Sequence, residues 1–273
     1  MEPIKVEIPL RLPKVLEVRA VIFDIYGTML ISGAGGVGTD GAEDNEDAFR
    51  AACLDGGLCS EAMQSARPGA EMLRREIKRD RAVRKKRGVF HPEVDILRIW
   101  ARTFKKIGLP ECSEHQLQRC ALSYECRVNP SWPMPGLIET IDGLLHRGLR
   151  LGIISNAQFY TPLLFRAFFG KDPPGLGFDE QYCIWSYIEG RGKPDSQLFY
   201  RLEAQLAQVS ISGSEILYVG NDMCKDVFPA AAREWKTALF AGDRRSLRLG
   251  RNDPRLRTIQ PDYVINDLRQ LLV

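Results

Sequence analysis

The chain has 273 residues, of which 44% are hydrophobic and 27% charged, and a formal net charge of +3. That length buries a sizeable core and holds one large domain or two smaller ones. The charge is too small to argue for nucleic acid by itself, and there is no run of ~18 apolar residues that could span a membrane.

The opening, Met1-Glu2-Pro3-Ile4-Lys5-Val6-Glu7, lacks the basic start and apolar core of a secretory leader, so a cytoplasmic protein is expected. Pro3, Pro9 and Pro13 discourage helix, and residues 1–17 read as an extended arm. Ala20-Val21-Ile22-Phe23 is a run of β-favouring residues that stops at Asp24 and is followed by a Gly27-Thr28 turn. A carboxylate at the carboxyl end of a buried strand stands where open α/β sheets place their ligands. It can be a nucleophile, a metal ligand or both, or it can merely cap the turn.

Ser32 to Gly41 is rich in glycine. It lacks the Gly-Lys-Ser/Thr ending of a phosphate loop and does not follow the strand tightly, so it reads as a hinge or linker into an inserted domain. Residues 42–128 then show helical periodicity. Ala48, Phe49, Ala52 and Cys53 share one face; a second helix opens at Met63 and includes Met72, Leu73 and Ile77. Val94, Leu97, Trp100, Ala101, Phe104 and Ile107 give a third, and a fourth covers Gln116 to Arg127. The second carries a basic run from Arg74 to Arg87. Without interleaved aromatics, this run reads as a solvated helix face rather than a nucleic-acid surface, or as a face that attracts anionic substrates.

From Met134 the pattern changes. Leu137 to His146 is an amphipathic helix ended by Gly148, and Leu149 to Ile154 is a strand. A strand at Tyr182–Trp185, a helix at Ser196–Ala207, a strand at Ile216–Val219, a helix at Val227–Glu234 and a strand at Lys236–Phe240 follow. Strands alternating with helices predict an α/β fold with a doubly wound parallel sheet. Trp132 and Trp185 are expected in its core. The seven cysteines (Cys53, Cys59, Cys112, Cys120, Cys126, Cys183 and Cys224) form no Cys-x-x-Cys pair, and His91, His115 and His146 have no ligand spacing to them. Buried free thiols in a reducing compartment are expected, and a zinc site is not.

Four segments together resemble the motifs of the haloacid dehalogenase superfamily. Asp24-Ile-Tyr26-Gly27-Thr28 is similar to its first motif, and Ser155-Asn156, ending an apolar strand, to its second. Gly190-Arg-Gly-Lys193-Pro194-Asp195 is similar to its third, and Gly220-Asn221-Asp222-Met-Cys-Lys-Asp226 to its fourth. The likeness spans roughly residues 18–242. It implies a Rossmann-like core at 1–32 and 132–273, with an all-helical cap domain at 33–131. The phosphatases of the superfamily carry a second Asp two residues after the first, and this chain has Tyr26 there, the form found in its 2-haloacid dehalogenases.

The resemblance implies that Asp24 attacks the substrate and that Ser155, Asn156 and Lys193 bind and stabilise it, with Tyr26 beside them. It also implies Mg²⁺ held by Asp24, the Tyr26 carbonyl, Asp222 and Asp226, the last alternatively capping the helix at Val227. Ser155 and Asn156 can donate to an oxyanion, aided by N–H groups of the helix expected after them. Tyr26 is a poor acid near neutral pH, which suits a halide leaving group; the retained acidic pair instead suits Mg²⁺ and a small phosphorylated, anionic substrate. A non-catalytic binding module is the third reading. Oligomeric state is not legible.

Overall fold

Alternate residues of the first apolar run face opposite sides of a sheet, and both sides are buried. The computed structural model describes residues 1–35, 45–59 and 68–273. In β1 (Ala20–Phe23), Ala20 and Ile22 join one apolar cluster while Val21 and Phe23 join another. The same division recurs in β4 (Arg150–Ser155), between Leu151 and Ile153 on one side and Ile154 on the other. In β6 (Ile216–Gly220), Leu217 and Val219 oppose Ile216 and Tyr218. A period of two with both faces apolar is the signature of a parallel sheet covered by helices on both sides.

The sheet has six strands in the order β5-β4-β1-β6-β7-β8, with β5 at Phe178–Trp185, β7 at Lys236–Phe240 and β8 at Tyr263–Ile265. Every neighbouring pair is parallel. One face is covered by helix α5 (Leu137–His146), through Leu137, Ile141 and Leu144, and by Phe165 of α6 (Thr161–Phe169). The other is covered by α8 (Ser196–Ala207), through Leu198, Phe199, Leu202 and Leu206. The short α7 (Ser186–Glu189) follows β5, and α9 (Phe228–Ala231) follows β6. Strand order reverses about β1, so a crevice opens at the carboxyl ends of β1, β4 and β6.

Leu137–His146, Ser196–Ala207 and Lys236–Phe240 fall at the expected residues, and the other expected elements of the second half are present with shifted ends. β5 begins four residues before the expected Tyr182, with a register break against β4. Trp132 and Trp185 are half-buried and pack against the main cluster. Of the seven cysteines, all free, only Cys53 and Cys120 are buried, which narrows the expectation of buried thiols to this pair. Arg11 of the N-terminal arm exchanges backbone hydrogen bonds with Val264 of β8.

Helices α1 (Glu46–Asp55), α2 (Gly69–Lys86), α3 (Ile96–Ile107) and α4 (Glu114–Val128) lie between β2 (Leu30–Ser32) and β3 (Ser131–Pro133). β2 and β3 pair antiparallel and bring the two ends of this insertion together. Most of the glycine-rich loop and Met63 lie outside the described residues. The helices share their own core, in which Phe49 stacks on Trp100 at 5.0 Å. Asp95 and Ser113 cap the third and fourth helices, and Gly108 ends the third in a left-handed conformation. Tyr160, from the segment after β4, is buried in that same core. No helix among the described residues is long and apolar enough to cross a membrane.

Candidate active site

Four of the predicted residues come together: Asp24 after β1, Ser155 at the end of β4, Asp226 in the turn after β6, and Lys193 in the loop after α7. Asp24 follows β1, and its N–H donates to Val219 at 2.9 Å, so the backbone ladder to β6 fixes its position. Ser155 closes β4 and donates its hydroxyl to Asp24 Oδ1 at 3.1 Å. Lys193, in the loop after α7, places its ammonium 2.7 Å from the same Oδ1. That ammonium also meets Asp226 Oδ1 at 2.5 Å and the Tyr218 hydroxyl at 3.0 Å. The ammonium thus makes two hydrogen bonds and a further ion pair in a place where Lys193 is 5% exposed. Burial works against the ammonium, but the Asp226 and Asp24 carboxylates outweigh it and hold Lys193 well above the ordinary lysine range. The Ser155 hydrogen bond and the Lys193 ion pair both fall on Asp24 Oδ1, and Oδ2 accepts no hydrogen bond from the described residues.

The fourth motif is folded differently from the expectation. Asp222, not Asp226, caps the turn that follows β6: its Oδ1 accepts from the N–H groups of Cys224 at 2.8 Å and Lys225 at 3.0 Å. The turn starts at Met223 as a wide π-type coil and passes into α9, so the helix expected from Val227 to Glu234 begins earlier and ends at Ala231. Asp226 points back instead, accepting from Lys193 and from the Asp222 N–H at 2.9 Å. Gly220 makes room for it, since a Cβ there would stand 2.4 Å from Asp226 Oδ2. Asn221 is buried and structural: it accepts from the Thr28 hydroxyl at 3.1 Å and donates to the Ser246 carbonyl at 2.6 Å. Gly27, at φ +89°, sits beneath this pair, where a Cβ would lie 2.4 Å from Ser246.

Asn156 lines the pocket but commits both ends of its amide to the main chain of Lys193. It accepts from the Lys193 N–H at 2.6 Å and donates to the Lys193 carbonyl at 3.4 Å. The helix expected directly after it starts only at Thr161, and the N–H groups of Ala157 and Gln158 donate to Ser186 and Thr161. An oxyanion therefore finds no free helix N-terminus there. Tyr26 is buried, with its hydroxyl 3.0 Å from Thr161 Oγ1. Burial first, and then the nearby Glu125 carboxylate, push its phenol far above the usual range.

Asp24, Tyr26, Asn156, Lys193, Asp222 and Asp226 line one pocket, with Lys225 and Arg248 on its rim. Among the described residues, no three acidic, His or Cys side chains are grouped closely enough to enclose a metal ion. Mg²⁺ asks for less: one or two carboxylates, completed by water and substrate oxygens. Asp24 and Asp222 fit that requirement, since each keeps an Oδ2 without a hydrogen bond from the described residues.

A family model of haloacid dehalogenase-like hydrolases matches residues 18–232. The chain belongs to the haloacid dehalogenase-like hydrolases. No curated protein sequence matches it. Among solved structures, it is similar to a 2-haloacid dehalogenase from Pseudomonas syringae pv. Tomato (TM-score 0.60, 19% identity, 93% of this chain and 96% of that one). It is also similar to the L-2-haloacid dehalogenase from Xanthobacter autotrophicus (0.51, 20%, 93% and 97%). A predicted phosphoglycolate phosphatase from Haemophilus somnus gives 0.50 at 18% identity, covering 94% and 97%. At such identities the likeness is one of fold, and this haloacid dehalogenase-like core carries both dehalogenases and phosphatases.

Tyr218, Asn221, Lys225 and Arg248 complete the site and were not singled out in the sequence for these roles. Tyr218 sits in an apolar strand run and looks like core, but its hydroxyl donates to the Ile154 carbonyl and accepts from Lys193.

Proposed function

We propose that this hydrolase is a phosphatase of small phosphorylated compounds that works through an aspartyl-phosphate at Asp24. The observation that carries the reading is the arrangement at Asp24: Ser155 and Lys193 hold Oδ1, while Oδ2 accepts no hydrogen bond from the described residues in a pocket that also contains Lys225, Arg248 and Asp222. Oδ2 attacks phosphorus, the bond to the leaving oxygen breaks, and that oxygen takes its proton from water. A second water then cleaves the acyl phosphate, releasing phosphate and restoring the carboxylate. Ser155 orients the nucleophile, and Lys193 balances its charge and that of the phosphoryl oxygens. The residues that would hold Mg²⁺ are Asp24, Asp222 and the Tyr26 carbonyl; the ion would supply charge neutralisation at the phosphoryl group. Asp226, engaged with Lys193, positions that lysine rather than the metal.

In this reading, residues 33–131 form a cap over the catalytic core at 1–32 and 132–273, and the substrate is a small anion. Free cysteines suit a cytoplasmic enzyme. Tyr26 favours a second reading: its phenol is tied to Thr161 and held protonated, so the side chain two residues after Asp24 is not a ready acid, and a halide leaving group needs none. The 2-haloacid dehalogenases of similar fold act on such substrates. Two assays separate the readings. The phosphatase reading expects Mg²⁺-dependent phosphate release from an aryl or acyl phosphate and no halide from 2-chloropropionate. Halide release without phosphate release would replace it with the second.

A further inference from the structure

The loop that carries Lys193 finds backbone partners in the helical insertion. The Gly192 N–H donates to the His91 carbonyl at 2.8 Å, and the Glu93 N–H to the Gly190 carbonyl at 3.2 Å. Between them Pro92 and Arg191 form an antiparallel bridge, so residues 91–93 lie against 190–192 as a short two-stranded ribbon. Gly190 ends α7 in a left-handed turn at φ +65°, which suits glycine. Arg84, in the last turn of α2, closes the ribbon from the side. Its guanidinium donates to the Glu93 carbonyl at 2.7 Å and to the Gly190 carbonyl at 2.9 Å. The approach is close: a Cβ on Gly190 would stand 2.5 Å from that guanidinium.

The buried Glu93 side chain reaches the other loop of the site. Its Oε1 accepts from the Val94 N–H at 2.9 Å and the Gln158 amide at 3.1 Å, and its Oε2 from the Ser186 hydroxyl at 2.9 Å. The same Gln158 amide donates to the Val94 carbonyl at 3.1 Å, and Ser186 accepts from the Ala157 N–H at 2.8 Å. Ala157 and Gln158 follow directly on Ser155 and Asn156, and Asn156 holds both the N–H and the carbonyl of Lys193. Segments 91–94, 156–158 and 190–193 are thus bonded pairwise into a closed triangle, two of its sides anchored on the insertion. Hydrogen bonds constrain angle as well as length, so bonds from two directions fix a loop more closely than bonds from one. The ion pairs of Lys193 hold the tip of its side chain, and the triangle holds its root.

We propose that the insertion is a positioning element for Lys193, acting through Arg84 and Glu93. Seating 91–93 on 190–192 fixes where the lysine is rooted, and so where its ammonium meets Asp24 Oδ1. Arg84 and Glu93 are positioning residues, acting on the chemistry only through the loop they hold. Lifting the insertion off the core breaks the ribbon and releases the Lys193 loop in the same movement, so the insertion is not a lid that opens independently of the site. For the part Lys193 plays in turnover, the proposal rests on the phosphatase reading; for its placement, it rests on the hydrogen bonds alone.

Two amides report on this apart from turnover. The Gly192 N–H is bonded to the insertion, and the Lys193 N–H to Asn156 of the core. In hydrogen exchange followed by NMR on the full chain, R84Q should speed both amides at least about fivefold, while the amides of β4 keep their wild-type rates. In phosphate release from an aryl phosphate, kcat should fall at least about tenfold in R84Q with KM changed much less, since displacing a charge from its working position is felt in the transition state. E93A removes the side-chain tie and should repeat the pattern; if its melting curve shows that it does not fold, R84Q decides alone. In R84Q, acceleration of Gly192 without Lys193, of neither amide, or of the β4 amides equally overturns the proposal, as does an unchanged kcat. If both amides respond as expected but the wild type releases no phosphate, the positioning of Lys193 stands and the phosphatase reading falls.

Discussion

The Lys193 ammonium and the Asp226 carboxylate meet at 2.5 Å with both side chains almost wholly out of water. Such a pair adds little net stability over a well-packed apolar one, but removing one partner leaves the other charged and buried, typically at about 3–5 kcal/mol. Lys193→Met should therefore cost at least about 3 kcal/mol in urea unfolding, because it strands Asp24 as well as Asp226. Asp226→Asn should cost less, since Lys193 keeps Asp24. The double variant should lose clearly less stability than the sum of the two single losses. Strict additivity would mean that the two residues do not act as a pair.

Asp24→Asn keeps the size of the side chain and the Ser155 contact but removes the attacking charge. Turnover should fall by at least about 10³-fold, by analogy with nucleophile deletions generally. The thermal melt should stay within a few degrees. Retained activity in a clean preparation would place the nucleophile elsewhere.

Asp222 has two duties that substitution can separate. Asp222→Ala loses the cap of the Met223 turn, worth about 1 kcal/mol, and also the carboxylate offered to Mg²⁺. Asp222→Ser keeps a capping oxygen and loses only the charge. Calorimetric titration with Mg²⁺ should show weak binding in both variants, while only Asp222→Ala melts early. Wild-type affinity in Asp222→Ser would remove this residue from the metal site.

Tyr26 gives a prediction about leaving groups. With a bound phenol in place of a carboxylic acid two residues after Asp24, rates should fall steeply as the leaving-group pKa rises, since general acid catalysis is worth about 10²–10⁴-fold where it exists. A nitrophenyl or acyl phosphate should be fast and an alkyl phosphate slow. Tyr26→Phe should leave the slope unchanged, because the phenol is bound to Thr161 and does not deliver the proton. A flat dependence in the wild type would point to an acid on the insertion.

The phenols of Tyr26, Tyr160 and Tyr218 are raised, first by burial, with the Glu125 carboxylate adding to the first two. A raised native pKa contributes stability that is complete below the unfolded value of about 10 and is lost as pH climbs past it. Phenolate absorbance near about pH 11 should therefore show at least three fewer ionised tyrosines in native than in urea-unfolded protein, and stability should fall from about pH 10 upward. Matching absorbances would mean that these phenols meet solvent.

Much of the site was legible because Asp24, Ser155 and Asp222 each stop or follow an apolar run, and a polar residue at a strand's end is visible as a break in pattern. Lys193 was visible only through the likeness of Gly190–Asp195 to the family's third motif. What was not legible depends on contacts between distant segments. The capping role fell to Asp222 because the turn after β6 winds wide, which no local spacing records. β5 is longer than expected because its start, Phe178-Asp179-Glu180, lies on the sheet's edge, where polar residues are tolerated and resemble a loop. β2, β3 and β8 have three residues each, too few for any period to show.

The β2–β3 ribbon also bears on how this architecture tolerates change. Once Leu30–Ser32 and Ser131–Pro133 are paired, everything between them is a closed excursion from two points already in contact. The chain entropy of such an excursion grows only logarithmically, by about 0.6 kcal/mol for each doubling of length. Helices can therefore be lengthened, added or exchanged there while the parallel strands and their acids keep their register. The ribbon lets the insertion be rebuilt without disturbing the strands to which it is attached.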